Sequence, residues 1–310
     1  MHKKIKLLQF FHFNAILCST NKLKRRKNMI SAINVKSALR RLGVEEGDSI
    51  LTHSSFKSLG EVDNGAQTVI DGMKMAVGEE GTVIFPTLVQ KDFLNAYKNW
   101  NKETTPSDVG YLTEYFRKLP GAKRSDQATH SVAAIGKLAD YITETHGQSG
   151  LRHGPFGETP FSADSPWEKM YKLNTKMLFI GVTSRKCTMH HYVEYLYIDE
   201  LLKQAKPLPN YKELYDGLWY FGTPEGASQY GVYPWVLSEW VEGEMLRMGT
   251  ARKTMCGKAE ILMLPARDYV DFCMENLRRR TPEIMGWSRM DFWIDKIERG
   301  LAELGLELRV

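Results

Sequence analysis

Apolar positions from Val35 to Leu42 recur at helical spacing, and Gly43, Gly47 and Asp48 then break the pattern before Ser49-Ile50-Leu51-Thr52. This predicts a helix, a turn and a strand. A small-residue loop, His53 to Gly60, follows, and Asp63 or Asn64 is placed to cap a helix over 66–77 that Gly78 and Gly81 end. Thr82 to Pro86 and Leu178 to Val182 are short β-branched or apolar runs that predict buried strands. Thr129 to Gly136, a polar entry to a small-residue run, suits either a buried strand or a helix start.

Between Lys91 and Ser125 the chain turns polar and aromatic, which predicts an irregular excursion with one short helix near 109–118. Gly154 to Gly157 and Asp164-Ser165-Pro166-Trp167 read as turns. Beyond Glu200 an aromatic-rich stretch, Trp219 to Trp235, precedes a strand near 259–264 and helices over 268–278 and 292–304. Strands alternating with helices predict an α/β layered fold. With no internal repeat or linker tract, residues 29–310 read as one domain carrying a pocket-shaping insertion.

Charge changes the reading of the first 28 residues. The formal net charge of +5 comes from that head, which carries eight of the 42 basic residues and no acid; the rest holds 34 basic against 37 acidic residues. A mildly acidic body argues against binding a nucleic-acid backbone and suits a cationic small substrate better. The apolar stretch from Leu7 to Cys18 is broken by Gln9, His12 and Asn14 and lacks a small-residue cleavage site, unlike a signal peptide. The head is therefore expected to be disordered or foreign to the native protein, with Met29 as the true start. Four scattered cysteines without a C-x-x-C pair suggest neither a disulfide framework nor a zinc site, and a cytoplasmic setting with no membrane partner is expected.

The chemistry concentrates in Cys187-Thr188-Met189-His190-His191-Tyr192-Val193-Glu194, directly after a predicted strand and opening a helix to about Leu202. Thr188, at the N-cap position, His191 and Glu194 recur every three residues and share roughly one helix face. This arrangement suits a proton acceptor, His191, oriented by Glu194. The same spacing also arises in a simple capped helix with a half-exposed His-Glu pair, and the motif alone leaves both readings open. Adjacent histidines on a helix point about a hundred degrees apart, so no metal ligand set is expected. The loop at His53, Ser54, Ser55, Phe56 and Lys57, followed by a helix start, offers backbone N–H groups and one cation to a phosphate, without the spacing of a P-loop or a dinucleotide fingerprint.

Taken in order, T-H-S-S-F-K-S-L-G, G-E-E-G-T-V-I-F-P-T, T-H-S-V-A-A-I-G, D-S-P-W and T-x-x-H-x-x-E resemble the successive blocks of the aminoglycoside 3-N-acetyltransferase family, also called antibiotic N-acetyltransferases. The resemblance runs from about Met29 to at least Phe272. It implies a three-layer α/β/α sandwich of the antibiotic N-acetyltransferase type. It also implies acetyl-CoA as co-substrate and direct acetyl transfer to the 3-amino group of an aminoglycoside, or to a different small-molecule amine. By the same resemblance His191 and Glu194 are catalytic, Thr188 belongs to their motif, and His53 to Lys57 with Ser131, Val132 and Ala133 contact acetyl-CoA. Asp199 and Glu200 are candidate acids for a cationic acceptor.

Overall fold

The computed structural model describes residues 29–91, 96, 98–146, 160–220, 238–285 and 290–309. The basic head, the Gly154 to Gly157 turn and all but the start of the Trp219 to Trp235 aromatic stretch lie outside the described residues.

Seven strands form one mixed sheet: β1 (Ser49–Ser54), β2 (Thr82–Pro86), β3 (Lys123–Arg124), β4 (Val132–Gly136), β5 (Lys176–Ile180), β6 (Arg252–Cys256) and β7 (Ala259–Pro265), in the order β3-β4-β2-β1-β5-β7-β6. Only the centre is parallel: β1 pairs in parallel with β2 and with β5, and every outer pairing is antiparallel. Both edges are protected. β3 is two residues long, and β6 exposes Arg252 and Lys253, so neither presents a long apolar edge to another chain.

Alternation along the central strands divides the core in two. Ile50, Val83, Leu178 and Ile261 face one side, where they pack on α1 (Ala32–Arg41), α2 (Ala66–Val77) and α3 (Tyr111–Arg117). Leu51, Ile84, Phe179 and Leu262 face the other. That second layer contains α4 (Ala139–Thr143), α5 (Pro166–Lys172), α6 (Met189–Ala205), α7 (Tyr211–Tyr220), α8 (Ser238–Arg247), α9 (Ala266–Arg278), α10 (Pro282–Met285) and α11 (Met290–Glu303). The layers are therefore helix, sheet, helix, as the motif order implies. Close approach of α1 to α2 requires Gly72, where a Cβ would lie 2.5 Å from the Val35 Cβ and 2.7 Å from the Ala32 carbonyl oxygen.

Several boundaries differ from expectation for local reasons. Helix α1 begins earlier, because Ser31 and Asn34 exchange side-chain and backbone hydrogen bonds in a capping box. Neither Asp63 nor Asn64 caps α2; Gly65 holds the N-cap position without a side-chain bond, and Asn64 sits in the left-handed region at φ 54°. Strand β5 is two residues earlier than the apolar run suggests, since Gly181 turns the chain at φ 60°. Asp164-Ser165-Pro166-Trp167 is a helix start rather than a turn alone: Ser165 accepts from the Glu168 N–H, and Pro166 occupies the first position of α5.

Candidate active site

The site forms where β1 and β5 end side by side. Beyond Ser54 the chain does not stay an open small-residue loop but tightens into a 3₁₀ turn over Phe56–Leu59. The turn is tied to the neighbouring strand: the Ser55 N–H donates to the Ile180 carbonyl at 2.9 Å, and the Ser58 hydroxyl donates to the Ser55 carbonyl at 2.6 Å. Gly181 makes this fit possible, because a Cβ there would lie 1.7 Å from the Ser58 hydroxyl oxygen. From Gly181 the chain passes through a second 3₁₀ turn, Ser184–Lys186, anchored by the buried Ser184 hydroxyl to the Ser238 carbonyl and the Glu242 carboxylate, and then enters α6.

Thr188 precedes α6 but does not cap it. Its backbone is already helical (φ −70°, ψ −21°), and its side chain makes no cap bond. Thr188 instead helps to line an open cavity of about 690 Å³, together with His53, Ser54, Ser55, Phe56 and Lys57. The expected loop and the start of the motif helix are thus brought together, from segments more than 120 residues apart. Lys186 adds a second cation to the lining, and Asp108 is the single acid among the described lining residues. Asp108 is already committed, since its carboxylate accepts from the Gln90 and Lys91 N–H groups.

His191 and Glu194 lie in the first two turns of α6 and are not among the lining residues. Their hydrogen bond, His191 Nδ1 to Glu194 Oε2, measures 2.7 Å. The Glu194 side chain is 2% exposed and that of His191 27%, so the carboxylate is sealed inside while the ring keeps an outward edge. Burial lowers His191 from 6.5 to about 4 and keeps the ring neutral. Burial raises Glu194 above its ordinary range, which makes its carboxylate a more basic partner for an imidazole N–H.

Three further aromatic rings surround the pair. His190 meets His191 edge-on with ring centroids 4.2 Å apart, and His130 and Phe161 approach it at 5.8 and 5.7 Å. His130 is held by Thr129, whose hydroxyl lies 2.8 Å from its Nδ1, and by Trp167, whose Nε1–H donates to the His130 carbonyl. His53 stacks on Phe179 at 5.1 Å; burial, and then the neighbouring His190, hold it down at about 3. His130 and Phe161 are absent from the sequence-derived site. The only available signal was a histidine preceding the buried Ser131 to Ala134 run.

Two expected groups fall elsewhere. Ser131, Val132 and Ala133 are buried at the start of β4, one strand beyond β2, and do not line the cavity. The Ser131 hydroxyl is engaged with Thr87, and the Val132 and Ala133 side chains enter the two cores. Asp199 and Glu200 border a separate hollow of about 270 Å³ with Tyr171, Asp271 and Arg278, where they are paired with Lys203 and Arg278. Neither joins His191. As for metal ligands, one donor atom each of His190, His191 and Glu194 lies within 4.8 Å of the others. The adjacent histidine rings thus lie close together, with centroids 4.2 Å apart.

A three-layer α/β fold with a buried imidazole–carboxylate pair at a strand-to-helix junction, beside an open cavity, defines the class to which this chain belongs. Similarity gives the family: the model for aminoglycoside 3-N-acetyltransferase matches residues 51–278, and the chain belongs to that family. It is 33% identical over 176 residues to an aminoglycoside N(3)-acetyltransferase III of Salmonella sp, a match covering 52% of this chain and 58% of that relative's length. A longer match, 26% identical over 281 residues, covers 81% of this chain and 92% of aminoglycoside N(3)-acetyltransferase VII of Streptomyces paromomycinus. Among solved structures, AAC-IIIb in binary complex with CoASH superposes with a TM-score of 0.62 at 19% identity, covering 81% of this chain and 97% of that one. That likeness shows the fold. No helix among the described residues is long and apolar enough to cross a membrane.

Proposed function

We propose that this protein is an acetyl-CoA-dependent N-acetyltransferase that acetylates the 3-amino group of aminoglycosides by direct transfer. The observation that carries the proposal is the 2.7 Å His191–Glu194 hydrogen bond on α6, the helix whose preceding residue, Thr188, lines the cavity. In this reading the acceptor amine is neutral when it reacts, Glu194 accepts the Nδ1–H of His191, and Nε2 takes a proton from the amine nitrogen as that nitrogen attacks the thioester carbonyl. The tetrahedral adduct collapses to the amide and expels the CoA thiolate, which the imidazolium protonates, so the amine hydrogen ends on the thiol of CoA. Holding both reactants in line supplies much of the rate.

The cavity is assigned to acetyl-CoA. Lys57 and Lys186 give its lining a positive balance that suits phosphate groups, and a relative of the same fold was solved with CoASH.

A second reading, a different small-molecule amine as acceptor, is favoured by one feature. The acids expected to hold a polycationic drug, Asp199 and Glu200, are spent on salt bridges away from His191. Purified protein, acetyl-CoA and a panel of amines, followed by thiol release and product mass, tests both. Acetylation of a kanamycin- or gentamicin-type compound that disappears in His191→Ala supports the first reading. Turnover with other amines alone supports the second, and no turnover with any amine rejects both.

A further inference from the structure

We propose that His190, His191 and Glu194 form a reversible binding site for one borderline divalent ion, best matched by zinc(II), whose occupancy withdraws His191 from proton transfer. One donor atom from each side chain already lies within 4.8 Å of the other two. Zinc bonds of about 2.0–2.2 Å place tetrahedral ligand atoms about 3.4 Å apart, so small side-chain rotations close the set. The donors are chemically apt: two imidazoles and one carboxylate favour zinc over the oxygen-seeking magnesium and calcium ions.

The second, independent observation is His190. Its ring is 8% exposed, and its Nδ1 is buried without a hydrogen-bond partner, although its ring packs against that of His191. A buried imidazole nitrogen with nothing to bond is uncommon, since polar atoms removed from water are normally satisfied. A metal ion bound through Nδ1 would give that nitrogen a bond. Glu194 contributes the negative charge, and three protein ligands leave one coordination position for solvent. Such an ion exchanges more freely than one in a closed four-ligand site.

The inhibitory consequence rests on His191 being the proton acceptor, whereas binding does not, so two kinds of measurement separate them. Chelator-stripped full-length protein is dialysed against zinc chloride, and cobalt(II) is titrated in parallel while its visible absorption is followed. The expected result is one ion per chain and cobalt bands of a nitrogen–oxygen site, with affinity for both ions falling by about tenfold or more in His190→Gln. Relative to its own rate in zinc-free buffer, the zinc inhibition of His190→Gln weakens by the same factor as its zinc affinity. Thermal unfolding of His190→Gln checks its folding, and His191→Asn provides a second ligand deletion read by binding alone. No saturable uptake by the wild type, or unchanged affinity in both variants, overturns the site. Wild-type turnover undiminished at saturating zinc overturns the inhibition alone. If no acetyl transfer is found at all, dialysis and cobalt spectra still decide the binding.

Discussion

Acidification should unfold this protein early, because histidines are sealed inside it in their neutral form. His53 and His146 are held at about 3 and His191 at about 4, each chiefly by burial, against 6.5 in an unfolded chain. Between those values the unfolded state binds a proton that the native state refuses, so native stability is complete above about pH 6.5 and falls as pH drops toward the folded values. At about pH 5 each ring is about 1.5 units below its unfolded value, which costs about 2 kcal/mol per ring and about 6 for the three. His130 and His190 are lowered well below 6.5 and act in the same direction. Glu194, with its raised value, binds a proton more readily in the native state and opposes this trend. The three rings alone account for a loss of about 6 kcal/mol from about pH 7.5 to about pH 5, much of the ~5–15 kcal/mol that holds a typical domain together. Urea unfolding followed by circular dichroism across that range measures it, and a decline smaller than about 2 kcal/mol would mean that these rings are not held neutral in the folded protein. Replacing His53, stacked on Phe179, by Phe should remove one ring's share of the slope.

His191→Ala should reduce turnover by about 10²–10⁴-fold with acetyl-CoA affinity intact, measured by initial rates and by calorimetric titration of the cofactor. Glu194→Gln should lower turnover by less and again spare acetyl-CoA binding; equal losses in both would mean that α6 itself had been damaged. Lys57→Ala combined with Lys186→Ala should raise the KM for acetyl-CoA by about tenfold and leave kcat nearly unchanged. Gly181→Ala should destabilise by about 2 kcal/mol or more, from the left-handed backbone and the clash with Ser58, and Ser58→Gly in the same chain should restore part of the loss in thermal unfolding.

Elements governed by local chemistry were legible in the sequence. The bounds of α2 and β2 follow from glycine stops and a β-branched run and need no tertiary information. β3 and β6 escaped notice because an edge strand is half solvated, so Arg252-Lys253-Thr254 carries no apolar alternation. Of the site, the His191–Glu194 spacing was visible because it lies within one helix. The wall formed by His130 and Phe161 was not visible, since tertiary folding delivers those rings from about 30 and 60 residues upstream. Ser131 to Ala133 are cofactor contacts by family resemblance alone; the residues themselves suit a buried strand, which pairing of β4 with β2 forms away from the cavity. Asp199 and Glu200 share a helix with His191, but the intervening turns carry them to another hollow.

The parallel seam between β1 and β5 joins stretches of chain far apart, with Ser49 and Thr175 sharing a buried hydrogen bond across 126 positions. Closing so long a loop is entropically slow and comes after local helices have formed. The turn that carries Lys57 and the helix that carries His191 meet only once that seam has closed. During refolding, helical signal should therefore return first, and cofactor binding should lag behind it. Neither half of the polypeptide, expressed alone, should bind the cofactor, and a protease cut between them before the seam forms should be irreversible.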